Sequence, residues 1–498
     1  MKSAHAQASP SAARPPWHLA AFVVATIVGC SSPDGVPTNA NGLPGAANGG
    51  GGGTSQQTQP GGAGGTSTGG GAGGTSTAGG AGGTATGGGA GGTSTGGVDA
   101  GGASTGGGAG GPSTSKPIWV AAWADAPDSA GGDGGTNQTF REIIKPTVGS
   151  RGKVRLHFSN FFGKTPVVLG AVHVGVQTSG AAVHDDVSVT FAGANSMTIP
   201  AGAFVTSDEV SLSFSYGALL GVTEYVKGSW TSLTQHTQAG TVTSYATAAN
   251  AGDKSADLTA TPFNKVIHQT YLLDRVDVFG DYSQTIAAFG SSTTDGVASG
   301  TDAHKTYPEQ LAERLHAAGR DDVAVANVGI AGTTVLGDSA TAGIHRFVRD
   351  VLPLPGVTAV IDNLGANDLR NSCVTADTLI AGKKNLIAQA HAAGLKIYVA
   401  TTAPSTFCGA QNPGKFGQRF VEGSGEEAQR FLVLAWARKA TDASLGAAAA
   451  DALIDFDGAI VDPANKSYML PSLDSGDDVH PNATGYGLMA KAIPLSLF

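Results

Sequence analysis

The stretch IAAFGSSTTDG, residues 286–296, decides how the rest of the chain is interpreted. Four apolar residues followed by Gly290 are typical of a buried strand that ends at the glycine. Two serines, two threonines and an Asp-Gly pair come next, before any helical pattern begins. Open α/β folds bind their ligands at the carboxyl ends of strands, so this position favours Ser292 as a nucleophile. The same residues are also typical of an ordinary turn or helix N-cap. The downstream sequence distinguishes a catalytic serine from this structural interpretation.

Downstream of this stretch, helical and strand patterns alternate. Residues 306–319 begin at a capping threonine, carry Pro308 in the first turn and end at a glycine, which predicts a helix. Further strands are predicted at residues 323–328, 358–364, 396–401 and 452–456. Further helices are predicted at residues 344–352, 376–393 and 426–440. Alternation of this kind predicts a parallel sheet with both faces covered by helices.

Polar residues follow two more strand ends, and a third polar group precedes the last helix. The strand ending at Val328 is followed by Gly329-Ile-Ala-Gly332, and the next strand is followed by Gly365-Ala-Asn367-Asp368. The chain closes with Asp474-Ser-Gly-Asp477-Asp-Val-His480, directly before the last helix. Because carboxyl ends of parallel strands meet at one edge of a sheet, we expect these groups to converge on one crevice.

The four stretches, in this order, resemble the four blocks of the SGNH/GDSL hydrolase family: Gly-Asp-Ser, Gly-x-x-Gly, Gly-x-Asn-Asp and Asp-x-x-His. The resemblance covers residues 277–498. Residues 119–123, 138–141 and 155–166 also resemble the N-terminal half of secreted bacterial members with two domains. The resemblance implies a flavodoxin-like three-layer α/β domain with a parallel sheet and an esterase that needs no metal and no organic cofactor.

The resemblance also implies roles for five residues. Ser292 matches the nucleophile, His480 the general base and Asp477 the residue that orients the histidine. The backbone N–H groups of Ser292 and Gly332 and the side-chain amide of Asn367 match the oxyanion hole. Ester hydrolysis by a serine needs a histidine of this kind, since a neutral serine attacks slowly unless an imidazole takes its proton. A carboxylate three residues before the histidine can fix the imidazole tautomer.

One residue departs from the family pattern. The family has aspartate directly before the nucleophile, and this chain has Ser291. The aspartate is not one of the matched catalytic groups, so we expect its replacement to alter loop hydrogen bonding. The change also gives weight to a weakened or inactive enzyme, and it places a second hydroxyl beside Ser292.

The N-terminal region has the features of an export signal and a tether. An apolar run of about ten residues, too short to span a bilayer, leads into Ile27-Val-Gly-Cys30, which resembles a bacterial lipobox. We expect residues 1–30 to be a lipoprotein signal peptide with Cys30 as the lipidated residue; a plain signal peptide with an incidental cysteine is the alternative. Residues 31–115 are rich in Gly, Thr and Ser and predict a disordered linker.

Residues 116–275 have a strand-like pattern. Residues 154–159, 187–191 and 210–214 alternate with period two and are separated by turn signals, which predicts a β-sandwich-like domain ahead of a hydrolase domain at residues 276–498. The β-rich domain could bind carbohydrate through exposed aromatic residues such as Trp123, Tyr225 or Trp230. It could also pack beside the cleft and close one of its sides, which is the interpretation we favour.

Charge and cysteine content narrow the remaining possibilities. The net charge of −9 and the absence of Lys/Arg clusters argue against nucleic acid as a partner. Besides Cys30 the chain has only Cys373 and Cys408. In an exported protein an isolated pair favours a disulfide over a metal site, and both cysteines follow predicted strand ends. We therefore predict a disulfide that braces the rim of the cleft.

Together these features predict an exported serine esterase, lipid-anchored at the cell envelope or surface and otherwise secreted. Its membrane association would be through the lipid anchor alone. Resemblance to extracellular members favours O-acetyl or other short-chain esters on carbohydrate, so acetylated polysaccharide is the expected partner. A lipase or arylesterase of the same family is the first alternative. A surface-binding protein on a catalytically decayed scaffold is the second.

Overall fold

The first part of the described chain is built from short antiparallel strands. A computed structural model describes residues 116–132, 134–237, 241–404 and 425–498. The strands are β1 (Ile118–Ala124), β2 (Ser129–Gly131), β3 (Gly135–Ile144), β4 (Ser150–Arg151), β5 (Val154–Ser159), β6 (Val167–Ser179), β7 (Ala182–Val189), β8 (Met197–Ile199), β9 (Phe204–Thr206), β10 (Ser213–Phe214), β11 (Leu220–Trp230), β12 (Leu233–Thr237), β13 (Ser244–Ala246), β14 (Lys265–Ile267), β15 (Gln269–Tyr271) and β16 (Leu273–Gly280).

These strands form two main sheets and two small ones. The larger main sheet has the order β14-β13-β3-β11-β6-β7, with β8 also paired to β6, and the smaller has the order β1-β16-β5-β9. The small sheets are β15-β12-β2 and β10-β4. Side chains from both main sheets, such as Leu156, Val172, Val222 and Val276, are fully buried in one hydrophobic cluster. The strand content of the segment agrees with its sequence pattern, and the finer prediction of a sandwich stays a prediction.

The predicted strands of this segment match the structure unequally. Residues 154–159 form β5 with the expected bounds, and the prediction at 187–191 falls on the end of β7. The strand predicted at 210–214 is reduced to the two residues of β10. Among the described residues, Val210 makes an isolated bridge with Val154 and β10 pairs with the two-residue strand β4, and no longer ladder forms there.

The second part of the described chain alternates strands and helices. Its elements are β17 (Gln284–Gly290), α1 (Ser292–Asp295), α2 (Tyr307–Ala317), β18 (Val323–Asn327), α3 (Gly343–Asp350), β19 (Val357–Asn363), α4 (Ala366–Arg370), α5 (Ala376–Ala392), β20 (Lys396–Ala400), α6 (Gly425–Ala437), β21 (Ala452–Ile454), α7 (Phe456–Ile460) and α8 (Ala483–Ala492). Short 3₁₀ helices lie at Ala443–Ala448, Pro471–Leu473 and Leu495–Leu497. The five strands are all parallel, in the order β18-β17-β19-β20-β21. Numbered along the chain this is 2-1-3-4-5, the flavodoxin-like order.

Helices cover both faces of the parallel sheet. Ile286 and Ala288 of β17 pack in a cluster with apolar residues of α2, α7 and α8. Ala287 and Phe289, which point the opposite way, pack with apolar residues of α3, α5 and α6. The nearly continuous apolar sequence of β17 therefore reflects burial on both sides. The three-layer prediction for this region agrees with the structure.

Helix α2 begins where the sequence signals it. The Thr306 side chain accepts a hydrogen bond from the Glu309 backbone N–H at 3.3 Å, and the Glu309 carboxylate accepts one from the Thr306 N–H at 3.1 Å. This reciprocal capping box satisfies two N–H groups that have no acceptor within the helix.

The β-rich and α/β parts are in direct contact. In the loop after β3, the Thr147 hydroxyl lies 2.9 Å from the carbonyl oxygen of Ala122 in β1 and accepts a hydrogen bond of 3.0 Å from the Val325 N–H in β18. The Ala121 N–H donates to the Thr285 hydroxyl of β17 at 3.0 Å. Strand β16, which pairs with β1 and β5, spans residues 273–280 and so crosses the predicted division at 275/276. That division stays a prediction.

Several sequence-based predictions concern residues that the structure does not describe. The signal peptide, Cys30, the linker at 31–115 and Cys408 lie outside the described residues. Among the residues that are described, no helix combines the length and the apolar character needed to cross a membrane.

Candidate active site

Ser292 lies at a tight junction between β17 and α1. A Cβ atom on Gly290 would lie 1.9 Å from the Thr294 hydroxyl, so glycine lets the chain turn closely here. The Ser291 carbonyl accepts hydrogen bonds from the N–H groups of Thr294 (2.8 Å) and Asp295 (2.9 Å), which close the first turn of α1. Ser292 is the first residue of this helix and stands at the carboxyl edge of the sheet. The short helix was not predicted, because only the N-cap composition signals it.

His480 and Asp477 lie in the loop before α8. One Asp477 oxygen accepts the N–H groups of Val479 (2.9 Å) and His480 (2.7 Å), and the other lies 2.6 Å from His480 Nδ1. Burial works against the charged form of Asp477, but the hydrogen bonds from the His480 side chain and backbone outweigh it and hold the pKa of this carboxyl well below its usual range. Asp477 is therefore a carboxylate at neutral pH.

Ser292 and His480 meet although 188 positions separate them. The Ser292 Oγ lies 2.9 Å from His480 Nε2. Because the Asp477 carboxylate can only accept, Nδ1 carries a proton, and Nε2 of the neutral imidazole then has a lone pair facing the serine hydroxyl. An imidazole in this tautomer can take the proton of Ser292 when the oxygen attacks. The structure brings these three predicted residues together.

Gly332 and Asn367 lie on neighbouring loops at the same edge. Gly332 has φ +76°, a backbone conformation that favours glycine, and no atom of a described residue lies within 4 Å of where its Cβ would be. The Asn367 amide nitrogen donates to the carbonyl of Thr333, the next residue after Gly332, at 2.9 Å. Asn367 is the second residue of α4 and is 4% exposed. One amide hydrogen thus ties the two loops together, and this bond leaves the other amide hydrogen unused.

Asp368 supports the same pair of loops, a role that sequence reasoning missed. Its two carboxylate oxygens accept hydrogen bonds from the N–H groups of Val335 (2.8 Å) and Leu336 (3.0 Å). Burial raises the pKa of Asp368 in spite of these bonds. Its place in the Gly-x-Asn-Asp block was the only signal, and it did not separate a structural aspartate from a turn residue.

A buried arginine holds the ends of two strands, and it too was missed. The Arg346 guanidinium of α3 donates to the carbonyls of Val328 and Gly290, each at 2.7 Å, and lies 4.1 Å above the Phe289 ring. Burial lowers the pKa of Arg346 to about 10, while Asp350 at 3.1 Å favours the charged form. Nothing in the local sequence distinguishes this arginine from one on the helix surface.

Three further ionisable residues meet at the end of α1. Asp295, the last residue of α1, faces His236 of β12, which also faces Asp125 in the loop after β1. The sequence signals Asp295 only as part of an Asp-Gly turn. No sequence pattern linked the other two residues to the site.

Other predicted site residues are not brought into this crevice. Cys373 follows α4, but the structure gives no account of its predicted partner Cys408, so the disulfide stays a prediction. Trp123 and Trp230 are half-buried and pack against the hydrophobic cluster of the β-rich part. Within the described ranges, no group of three or more His, Cys, Asp or Glu side chains is arranged to hold a metal ion.

Part of the chain is similar to a known protein family and to several solved structures. Residues 288–488 match the model of the GDSL-like lipase/acylhydrolase family. No curated protein sequence matches the chain. Similar solved structures include a carbohydrate acetylesterase family member from Sinorhizobium meliloti (19% identity, 42% of this chain and 94% of that chain, TM-score 0.32). An inhibitor-bound aryl esterase from M. smegmatis (20%, 42% and 94%, TM-score 0.32) and a GDSL-like lipase from Bacteroides thetaiotaomicron (17%, 42% and 85%, TM-score 0.29) are also similar.

The class of protein follows from the family match. Residues 288–488 form a GDSL-like lipase/acylhydrolase domain, which contains Ser292, Gly332, Asn367, Asp477 and His480. The chain is accordingly a carboxylic ester hydrolase.

Proposed function

We propose that this protein is a serine esterase that hydrolyses short-chain esters through a Ser292–His480–Asp477 triad and an acyl-enzyme. One observation carries the proposal: the continuous hydrogen-bonded line from the Ser292 hydroxyl through the His480 ring to the Asp477 carboxylate, with contacts of 2.9 and 2.6 Å. Both distances are within the range in which a general base acts.

In the acylation step, His480 acts as the tautomer that carries its proton on Nδ1. As Ser292 Oγ attacks the ester carbonyl carbon, its proton moves to His480 Nε2, and Asp477 stabilises the imidazolium that forms. The tetrahedral intermediate then collapses, the ester C–O bond breaks, and His480 gives the proton to the departing alcohol. Water repeats the sequence on the acyl-enzyme, which releases the acid and restores Ser292.

The oxyanion would be held by three donors. Ser292 is the first residue of α1, and the first N–H groups of a helix have no acceptor within it. The Gly332 N–H lies on the neighbouring loop, and the second amide hydrogen of Asn367 is not used by its bond to Thr333. Loss of one such donor typically lowers turnover by about 10²–10³-fold.

A comparison of the two adjacent serines tests the nucleophile. Only Ser292 contacts His480, while Ser291 is 3% exposed and caps α1 without a side-chain hydrogen bond to it. With p-nitrophenyl acetate, we expect Ser292→Ala to abolish hydrolysis and Ser291→Ala to retain it. The reverse result would place the nucleophile one residue earlier. Equal hydrolysis by wild type and Ser292→Ala would favour a binding protein on a decayed scaffold.

The substrates we propose are O-acetyl or other short-chain esters on carbohydrate. The resemblance of the two-part chain to extracellular hydrolases supports this choice, and one structure similar to the chain is described as a carbohydrate acetylesterase family member. Acetate release from a panel of acetylated polysaccharides, compared with hydrolysis of aryl acetates and long-chain esters, tests it. Turnover only of long-chain or aryl esters would favour the lipase or arylesterase alternative.

For the β-rich segment we propose a sandwich that closes one side of the hydrolase. Burial of side chains from its two main sheets in one cluster supports the sandwich. The hydrogen bonds of Thr147 and Ala121 to β18 and β17 support a packing role. The alternative is tested by measuring whether the full chain with Ser292→Ala binds polysaccharides. Binding that is lost when Tyr225 or Trp230 is replaced would favour a carbohydrate-binding role instead.

We further propose that the protein is exported and anchored through a lipid on Cys30. The apolar run that precedes Ile27-Val-Gly-Cys30 supports this proposal. Mass spectrometry of the mature N-terminal peptide should find a lipidated cysteine, and Cys30→Ser should release the protein from membranes. A mature chain with an unmodified residue there would contradict the anchor.

The proposed Cys373–Cys408 disulfide is tested by alkylation of the unfolded protein without reductant. We expect no label on either cysteine and a peptide pair joined by the bond. Two alkylated thiols would contradict the pairing.

A further inference from the structure

A buried charged cluster joins the β-rich segment to the helix that carries Ser292. Its members are Asp125 in the loop after β1, His236 in β12 and Asp295 at the end of α1. These residues are 8%, 3% and 7% exposed, respectively. Burying a charged side chain costs free energy unless an opposite charge or a hydrogen bond compensates for it.

The hydrogen-bond geometry of His236 favours an imidazolium. Nδ1 lies 2.6 Å from the carbonyl oxygen of Ala126, which can only accept, so this nitrogen carries a proton. Nε2 lies 3.2 Å from an Asp125 oxygen and 3.5 Å from an Asp295 oxygen, and carboxylates likewise need a donor. A positive His236 therefore lies between two negative side chains.

Other groups around the cluster fit this assignment. Burial works against the charged form of His236, but Asp125 and Asp295, with a smaller contribution from Asp128, raise its pKa well above the usual range. The Thr270 hydroxyl donates to the second Asp125 oxygen at 2.7 Å.

Asp295 connects the cluster to both sides of the proposed site. Its second carboxylate oxygen accepts the Ala331 N–H at 3.1 Å, and Ala331 directly precedes Gly332. Its backbone N–H donates to the Ser291 carbonyl at 2.9 Å. One aspartate thus holds the first turn that presents Ser292 and the loop that presents Gly332.

We infer that His236, contributed by the β-rich segment, is a positioning residue for the hydrolase: its charge holds Asp295, which in turn fixes Ser292 and the Gly332 loop relative to each other. This inference rests on the proposed serine-esterase function. Without the imidazolium, Asp125 and Asp295 would repel each other across a buried space, and Asp295 would no longer be held in its present position. A displacement of about 1 Å at a catalytic group can lower turnover by about 10²-fold.

The principal experiment compares His236→Gln with His184→Gln in the full chain. Glutamine keeps a donor but has no charge, and His184 is an exposed histidine of β7 that pairs with Asp185 at 3.0 Å. With p-nitrophenyl acetate we expect His236→Gln to lower kcat by about 10–100-fold and to change KM by less than about two-fold. The value of kcat is normalised to the folded fraction of the protein, which circular dichroism measures. His184→Gln should match wild type in both parameters.

The pH profile separates positioning from a general loss of stability. Deprotonation of His236 would leave two buried carboxylates without a cation, so wild-type kcat should fall on an alkaline limb that His236→Gln lacks. Where His236→Gln yields no folded protein, Asp125→Asn carries the test. It removes one of the two carboxylates facing His236 and should move the alkaline limb to lower pH.

The outcomes distinguish this inference from the proposed function. Unchanged hydrolysis in Ser292→Ala would overturn the serine-esterase proposal itself. A different result would overturn only the role of His236. In that case hydrolysis needs Ser292, but folded His236→Gln or Asp125→Asn keeps the wild-type kcat and the wild-type alkaline limb.

Discussion

Asp477 shows how a single side chain both shapes the loop and sets the state of the histidine. One of its oxygens binds two backbone N–H groups, and the other binds His480 Nδ1. The first contact fixes where the carboxylate points, and the second fixes the imidazole tautomer. Nearly half of the Asp477 side chain is exposed, so its effect depends on this geometry more than on burial.

We predict that Asp477→Asn lowers kcat by about 10⁴-fold with little change in KM, because an amide in place of the carboxylate favours the wrong imidazole tautomer. Steady-state kinetics on p-nitrophenyl acetate measure the effect. Asp478→Asn is the matched control, since residue 478 has φ +60°, which asparagine adopts readily. Equal activity of both variants would argue against an orienting role for Asp477.

Gly329 packs directly against the backbone of α1. A Cβ atom there would lie 2.2 Å from the Asp295 backbone nitrogen and 2.8 Å from its Cα, so Gly329→Ala must push α1 away from the Gly332 loop. We expect a loss of about 1–3 kcal/mol in unfolding free energy, together with a lower kcat. Gly319→Ala, at φ +72° with open space around it, should lose about 1–2 kcal/mol with kcat unchanged. Urea unfolding and kinetics check both.

The stability of helix α2 depends on its capping box. Thr306→Ala removes the hydroxyl that accepts the Glu309 N–H, so we expect the free energy of unfolding to fall by about 0.5–2 kcal/mol. Thr484→Ala, at an exposed position in the first turn of α8, should change it by less than about 0.5 kcal/mol. Urea titrations of the two variants provide the comparison. Similar losses in both would mean that the box contributes little.

Strands and helices of the α/β part could be predicted because each carries its own local signal. The predicted helix at 376–393 differs from α5 by one residue, and the strand at 323–328 differs from β18 by one. Strand 210–214 failed because its alternating pattern says nothing about whether a partner strand lies alongside. The five matched site residues stand in ordered blocks, whereas His236 and Arg346 act through contacts with distant segments that no local pattern records.

The buried His236 cation makes the stability of the folded protein depend on pH. Its folded-state pKa is raised, so the folded protein keeps a proton that the unfolded chain releases near pH 6.5. The stability it contributes is fully present below about pH 6.5 and is lost as pH rises through the raised folded-state value. We predict that the unfolding free energy of wild type falls with pH above this point and that His236→Gln flattens the slope. Urea titrations across a pH series test this, and parallel slopes would contradict it.

The contacts of β1 have a consequence for synthesis. Its partner β16 ends at Gly280, so the smaller main sheet stays incomplete until nearly the entire β-rich segment and the first residues of the next part have left the ribosome. Until then β1 has an open hydrogen-bonding edge that can pair with other chains. Truncations that stop short of residue 280 should therefore aggregate during expression, and a chaperone that shields exposed strands would be most useful in that interval.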